Sequence, residues 1–272
     1  MRSIMARKTT VISAVVIFML LTINNFVYIR NSLYNFCVNA IKIKSLYSVK
    51  NYSTYETENF IIKYTPEDGD VVAIVANTIE KDFFQVKQRL NHQLHNKVQI
   101  IIYPDLEIMR NKLNLSQKDY PMGIYYGGIL HILSPKVWIN DSSMDTLSRE
   151  FAANGPMVHE LIHLIVDEKA NGNFPLWFTE GIALYYEYRL TGYEWGKGLA
   201  NIQIPNTLSQ LTHRFELLDQ DLAYRKSFEI IKLIADRYGE QKILHLLDQL
   251  GKGQIGMNSQ VSLESVVYNL IQ

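Results

Sequence analysis

Val158-His159-Glu160-Leu161-Ile162-His163-Leu164-Ile165-Val166-Asp167 decides how the rest of the chain is read. In a helix each residue turns about 100°, so His159 and His163 sit one turn apart on one face. Two imidazoles so placed can meet a single zinc ion at about 2.0–2.1 Å. Glu160, beside the first of them, can reach a water at that ion without entering its coordination sphere, where a general base is wanted. The remaining residues, Leu161, Ile162, Leu164, Ile165 and Val166, are apolar on nearly every side. Such a helix is central to its domain, and ionisable groups buried there without partners are costly. A metal ion is a partner that satisfies them.

A catalytic zinc site takes three protein ligands and keeps one position open, so a carboxylate or a further His is expected on a neighbouring element. Gly172-Asn173-Phe174-Pro175 ends the first helix and permits a reversal. The run from Leu176 to Glu187 then reads as a second helix with Glu180 in its second turn, 17 positions beyond His163. Gly181 and Ala183 beside it are small and let two helices approach closely. Glu180 is the candidate third ligand.

Working outward, Phe60 to Tyr64 reads as a strand closed by the turn signal Pro66-Glu67-Asp68-Gly69. Val72, Val75, Ile79, Phe83, Val86 and Leu90 recur at helical spacing, with Asp70 where an N-cap is wanted. Val98 to Tyr103 is apolar throughout and reads as an interior strand, followed by a short helix at 106–113. Gly123 to Tyr126 and Gly128 to Leu133 are strand-like runs hinged at Gly127-Gly128. From Ser143 onward the pattern predicts helices at 144–168, 176–190, 219–238, 240–250 and 260–271. Strands first and helices afterwards describe an α+β protein: a small mixed β-sheet with helices, then a mostly helical C-terminal lobe, the two-His helix lying between them.

At 272 residues and 47% hydrophobic, the chain suits one large domain and is not globally disordered. Lys+Arg and Asp+Glu stand at 27 each, so there is no basic excess to indicate a nucleic-acid partner. The one cysteine, Cys37, excludes a disulfide framework and a zinc site built from several thiolates. Thr9 to Ile29 is one apolar stretch behind Arg2, Arg7 and Lys8. It is just long enough to span a hydrocarbon core, which takes about 20 residues, while Val11 to Ile23 is nearer a signal-peptide core. Residues 1–30 are therefore expected to be a single-pass membrane anchor, with a cleaved secretion signal as the alternative. The basic flank favours a cytoplasmic N-terminus and an extracytoplasmic remainder. Residues 31–57, rich in Asn, Ser and Tyr without sustained period, read as a juxtamembrane linker.

His159-Glu160-x-x-His163 with the distal Trp177-Phe178-Thr179-Glu180-Gly181 is similar to the gluzincins, the thermolysin-like zinc metallopeptidase clan. The run from Pro175 to Tyr185 resembles especially the peptidase MA-like group of bacterial membrane-associated proteins. The resemblance covers roughly residues 55–250. It implies a zincin-like domain over 58–272, with a β-rich lobe at 58–143 and a helical lobe at 144–272. It also implies zinc (Zn2+) on His159, His163 and Glu180, Glu160 as general base and proton shuttle, and a peptide or protein substrate cut as by an endopeptidase. Thermolysin carries an Asp four positions after its third ligand to orient a ligand His. Leu184 stands there in this chain, so Asp167 or Glu187 is expected to supply that contact. The clan further implies a Tyr or His on a later helix that stabilises the oxyanion. Tyr224 is the first candidate, followed by Tyr185, Tyr186 and Tyr188. It implies as well an edge strand above the metal, for which Gly128 to Leu133 is the choice and an ordinary core strand the alternative. His131, in that run, either lines the cleft or faces solvent.

Two other readings stay open beside the endopeptidase: a zinc-dependent amidase acting on a cell-wall or other non-protein amide, and a catalytically idle zincin-fold binding protein. Idle relatives usually lose the base or a ligand, and here all four residues are present. An intramembrane protease fails, because Asp167-Glu168-Lys169 follows the motif at once.

Overall fold

The computed structural model describes residues 26–140, 143–200, 206–256, 259 and 261–272. Five strands, β1 (Ser53–Glu56), β2 (Phe60–Tyr64), β3 (Val98–Tyr103), β4 (Gly123–Tyr126) and β5 (Ile129–Leu133), form one sheet in the order β1-β2-β3-β5-β4. β2, β3 and β5 run parallel, with Ile62 opposite Ile100 and Ile100 opposite Leu130. β1 and β4 close the two edges antiparallel. Alternate residues of the inner strands serve two cores. Phe60, Ile62, Ile100, Ile102, Leu130 and Ile132 face the larger one, while Ile101, Tyr103, Ile129 and Leu133 face the smaller. A sheet covered on both faces demands continuous apolar runs in its middle strands.

That rule corrects the expected edge strand. β5 is buried at every residue and lies between β3 and β4, so the edge belongs to Gly123–Tyr126. The two are joined by Gly127-Gly128, both at positive φ as a two-residue hairpin turn requires. His131 on β5 neither lines the cleft nor meets solvent: it is fully buried, its Nδ1 2.9 Å from the Tyr103 hydroxyl. Burial lowers its pKa to about 4. β1 escaped prediction because Ser-Thr-Tyr-Glu is exposed throughout and has no apolar face.

Eleven helices are described: α1 (Phe26–Ser48), α2 (Val72–Arg89), α3 (Leu106–Leu113), α4 (Pro135–Trp138), α5 (Met144–Asn154), α6 (Met157–Ala170), α7 (Leu176–Thr191), α8 (Leu208–Arg214), α9 (Gln220–Tyr238), α10 (Glu240–Gly251) and α11 (Leu263–Ile271). The architecture is α+β, the sheet first and the helical lobe after it. The single helix expected over 144–168 is two, because Gly155 is extended and Pro156 caps α6 without a backbone N–H to give α5. Asp70 does not cap α2, which starts at Val72 with no side-chain cap; its carboxylate instead meets Lys136 Nζ at 2.5 Å.

The expected linker at 31–57 is corrected as well, since most of it is α1 followed by β1. The inner face of α1 recurs at helical spacing but mixes Asn31, Tyr34, Lys42 and Ser45 with Val27, Val38 and Ile41, which hides the period. Tyr34 donates its hydroxyl to Asp167, and Asn31 Nδ2 donates to the Gly251 carbonyl at 3.3 Å. Gly172 leaves room for this: a Cβ there would stand 2.2 Å from the Tyr34 ring. Residues 1–25 of the expected anchor lie outside the described residues. Among the described residues no helix is long and apolar enough to cross a membrane.

α6 and α7 form an antiparallel pair joined through Asn171, at φ 50, and Gly172. α7 then packs so closely on α9 that a Cβ at Gly181 would lie 2.5 Å from the Ser227 carbonyl oxygen. The small residue next to Glu180 thus sets how deeply that carboxylate sits.

Candidate metal centre

Leu161, Ile162, Ile165 and Val166 are fully buried, which fixes α6 and turns its remaining face toward α7. On that face the Nε2 atoms of His159 and His163 lie 3.1 Å apart. Glu180 Oε2 reaches across from α7 to 3.4 Å from the first and 3.5 Å from the second. A tetrahedral ion that holds its donors at about 2.0–2.1 Å separates them from one another by about 3.3 Å. The triangle therefore has the size of one face of such a shell.

The outer nitrogens have partners of their own. His163 Nδ1 is 2.7 Å from Thr179 Oγ1, and His159 Nδ1 is 3.3 Å from Glu187 Oε2. A carboxylate accepts only, so Glu187 draws the ring proton to Nδ1 and leaves the Nε2 lone pair facing inward. Glu180 Oε2 is buried and has no hydrogen-bond partner. Two inward nitrogens and an orphaned carboxylate oxygen are the donor set of a divalent cation, and the residues fit one.

Electrostatics agree. Burial opposes charge on His159, yet the Glu180 and Glu187 carboxylates beside its two ring nitrogens outweigh it and raise its pKa well above the ordinary value. Burial also opposes charge on Glu180, yet His163 and His159 hold its carboxyl well below the usual range. The cluster favours positive charge at its centre.

Glu160 is 6% exposed, and its Oε2 accepts the Tyr125 backbone N–H from β4 at 2.6 Å. Burial pushes its carboxyl above the ordinary carboxylate value, and the two imidazoles only partly offset that. The edge strand thus holds the carboxylate beside the three donors. Tyr224, on α9, comes to the same place: its hydroxyl faces Glu180, and burial first and that carboxylate second raise its pKa. The other tyrosines go elsewhere. Tyr185 bonds Glu240 at 3.3 Å, Tyr186 is fully buried, and Tyr188 stands edge-on to Phe228.

Of the two residues expected to orient a ligand His, Glu187 does so and Asp167 does not. Asp167 accepts from Tyr125 Oη at 2.7 Å and from Tyr34, tying β4 and α1 to the motif helix. Thr179 was not foreseen, because a threonine one place before a carboxylate carries no signal of its own. Thr179→Val should keep the fold and weaken metal affinity about 10–100-fold, as loss of a partner behind a ligand does. Competition with a chromophoric chelator measures it.

Two cavities of ≈ 700 and ≈ 630 Å³ meet over Gly123, His159, Glu160 and Tyr224. The first is walled by apolar groups that include Val38 and Ile41 of α1, Ile124, Phe174 and Leu176. The second carries Asp82, Glu187 and Asp221 among Tyr193 and Trp195. Among the described residues, neither is lined by a Lys or an Arg.

Residues 80–266 match the family model described as the Peptidase MA superfamily. No curated protein matches the chain.

Proposed function

Since the chain belongs to the Peptidase MA superfamily, we propose that it is a zinc-dependent endopeptidase in which His159, His163 and Glu180 hold the metal and Glu160 is the general base. The observation that carries this reading is the triangle of three donor atoms 3.1–3.5 Å apart with a buried carboxylate beside it. Zinc bound there supplies Lewis-acid polarisation of a peptide carbonyl and makes a water acidic enough to attack near neutral pH.

The chain's own residues do the rest. Glu160 takes a proton from the attacking water and returns it to the departing amine nitrogen. Its burial, which raises its hold on a proton, suits the second half of that task. The Tyr224 phenol donates to the carbonyl oxygen as negative charge develops there. Glu187 and Thr179 keep the two imidazoles in one tautomer and one orientation. β4 lines the cleft as the last strand of its sheet, and an extended peptide can lie along it through main-chain bonds. A cleft that continues on both sides of the cluster supports an extended peptide over a compact non-protein amide.

The proposal includes an N-terminal anchor with the peptidase domain outside the cytoplasm. Its support is the apolar stretch from Thr9 to Ile29 and the flank of Arg2, Arg7 and Lys8.

The test is digestion of a denatured protein by the full chain, with the products mapped by mass spectrometry. Hydrolysis should stop with a chelator and return with zinc. Because, among the described residues, no Lys or Arg lines the cavities and several carboxylates do, Asp and Glu should be depleted near the cleaved bonds. Zinc-loaded protein that cuts no peptide bond contradicts the proposal.

A further inference from the structure

α1 is the feature that the peptidase reading does not absorb. One of its faces is clamped to the domain by Asn31, Tyr34, Val38 and Ile41. Diametrically opposite runs a second stripe: Ile29, Leu33, Phe36, Ala40, Ile43 and Tyr47. The spacing alternates four, three, four, three, four, which is the seven-residue repeat of a helix seated on another helix. None of the six is charged. Ile29 is 44% exposed, Leu33 60%, Phe36 72%, Ile43 69% and Tyr47 70%, and Ala40 is exposed too.

We infer that this stripe is the interface between two copies of the chain, paired as a short parallel coiled coil. The bare area of the six side chains is roughly 650 Å² per copy, so a pair would bury about 1,300 Å², within the about 1,200–2,000 Å² of a stable interface. A stripe without charge complements its own copy when the symmetry axis runs along it. The parallel sense follows from the apolar stretch that runs directly into α1, which brings the N-terminal ends of two copies side by side if both are anchored. A bilayer surface is the poorer occupant. Helices lying on lipid carry many basic groups beside the apolar stripe. Here Arg30 and Lys42 are half-buried against the domain and only Lys44 stands on the outer arc. Clamping on the inner face also lowers the entropy lost on pairing, because the helix is already formed.

The test uses the full chain in detergent, with its protein mass measured by light scattering. A dimer is expected, and Phe36→Lys with Ile43→Lys should halve the mass while helical content and melting temperature hold. Cys37, exposed beside the stripe, gives an independent reading in the unsubstituted chain: a bis-maleimide should link two copies in a yield that survives dilution. A monomeric unsubstituted chain overturns the inference, as does a doubly substituted chain that stays dimeric. A monomer in lipid nanodiscs whose Cys37 is shielded from a charged maleimide assigns the stripe to lipid and overturns it too. None of these readings depends on peptide hydrolysis.

Discussion

Glu160→Gln is expected to slow peptide hydrolysis by about 10³-fold while leaving metal content and melting temperature unchanged. A positioned acid–base group contributes about 10²–10⁴-fold, and the amide can neither accept the water proton nor deliver it to the amine. The substitution is close to isosteric. Its side-chain oxygen can still accept the Tyr125 backbone N–H that now meets Oε2 at 2.6 Å. Glu160 is not among the three donors, so the metal should stay. Folding should not suffer either, since burial already disfavours the charged carboxylate at this place. Initial rates beside elemental analysis of the same sample separate the two roles. A variant that loses metal along with activity would make Glu160 a ligand, and one that keeps its activity would remove it from the chemistry.

The second large effect is one of packing. Gly181→Val places a Cβ 2.5 Å from the Ser227 carbonyl oxygen and 2.7 Å from the Ile231 side chain. The first contact is with backbone, so no rotamer change relieves it, and α7 must move from α9. Overpacking of this kind costs about 3 kcal/mol, which in a chain of this size lowers the melting temperature by about 5 °C. Glu180 moves with its neighbour, so metal affinity should fall together with stability. Gly198→Ala is the control, because nothing lies within 4 Å of a Cβ there. Calorimetric melting of both variants, with and without zinc, tests the coupling of that close contact to the site.

How much of this was legible in the sequence depends on whether local pattern or distant packing decides each part. The two-His helix, the reversal after Gly172 and the return of Glu180 are local, and the structure brings their donor atoms together as their spacing predicts. Tyr224 was one of several tyrosines at helical spacing, and only the packing of α9 on α7 shows which of them reaches Glu180. The edge strand was misplaced although Ile-Leu-His-Ile-Leu is apolar at four of five positions, the mark of a strand covered on both faces. α1 was missed for the opposite reason: its two faces each carry apolar residues, so their periods overlap and cancel. The tie from Asp167 to Tyr34 and Tyr125 joins residues 133 and 42 positions apart respectively, and no local signal could announce it.

Titration of chelator-treated full chain with zinc in a calorimeter addresses the triangle itself. One ion per chain should bind, and His163→Ala and Glu180→Ala should each abolish that binding while helical content is retained. Zinc that binds either variant as it binds the unsubstituted chain would show that these three side chains do not form the site.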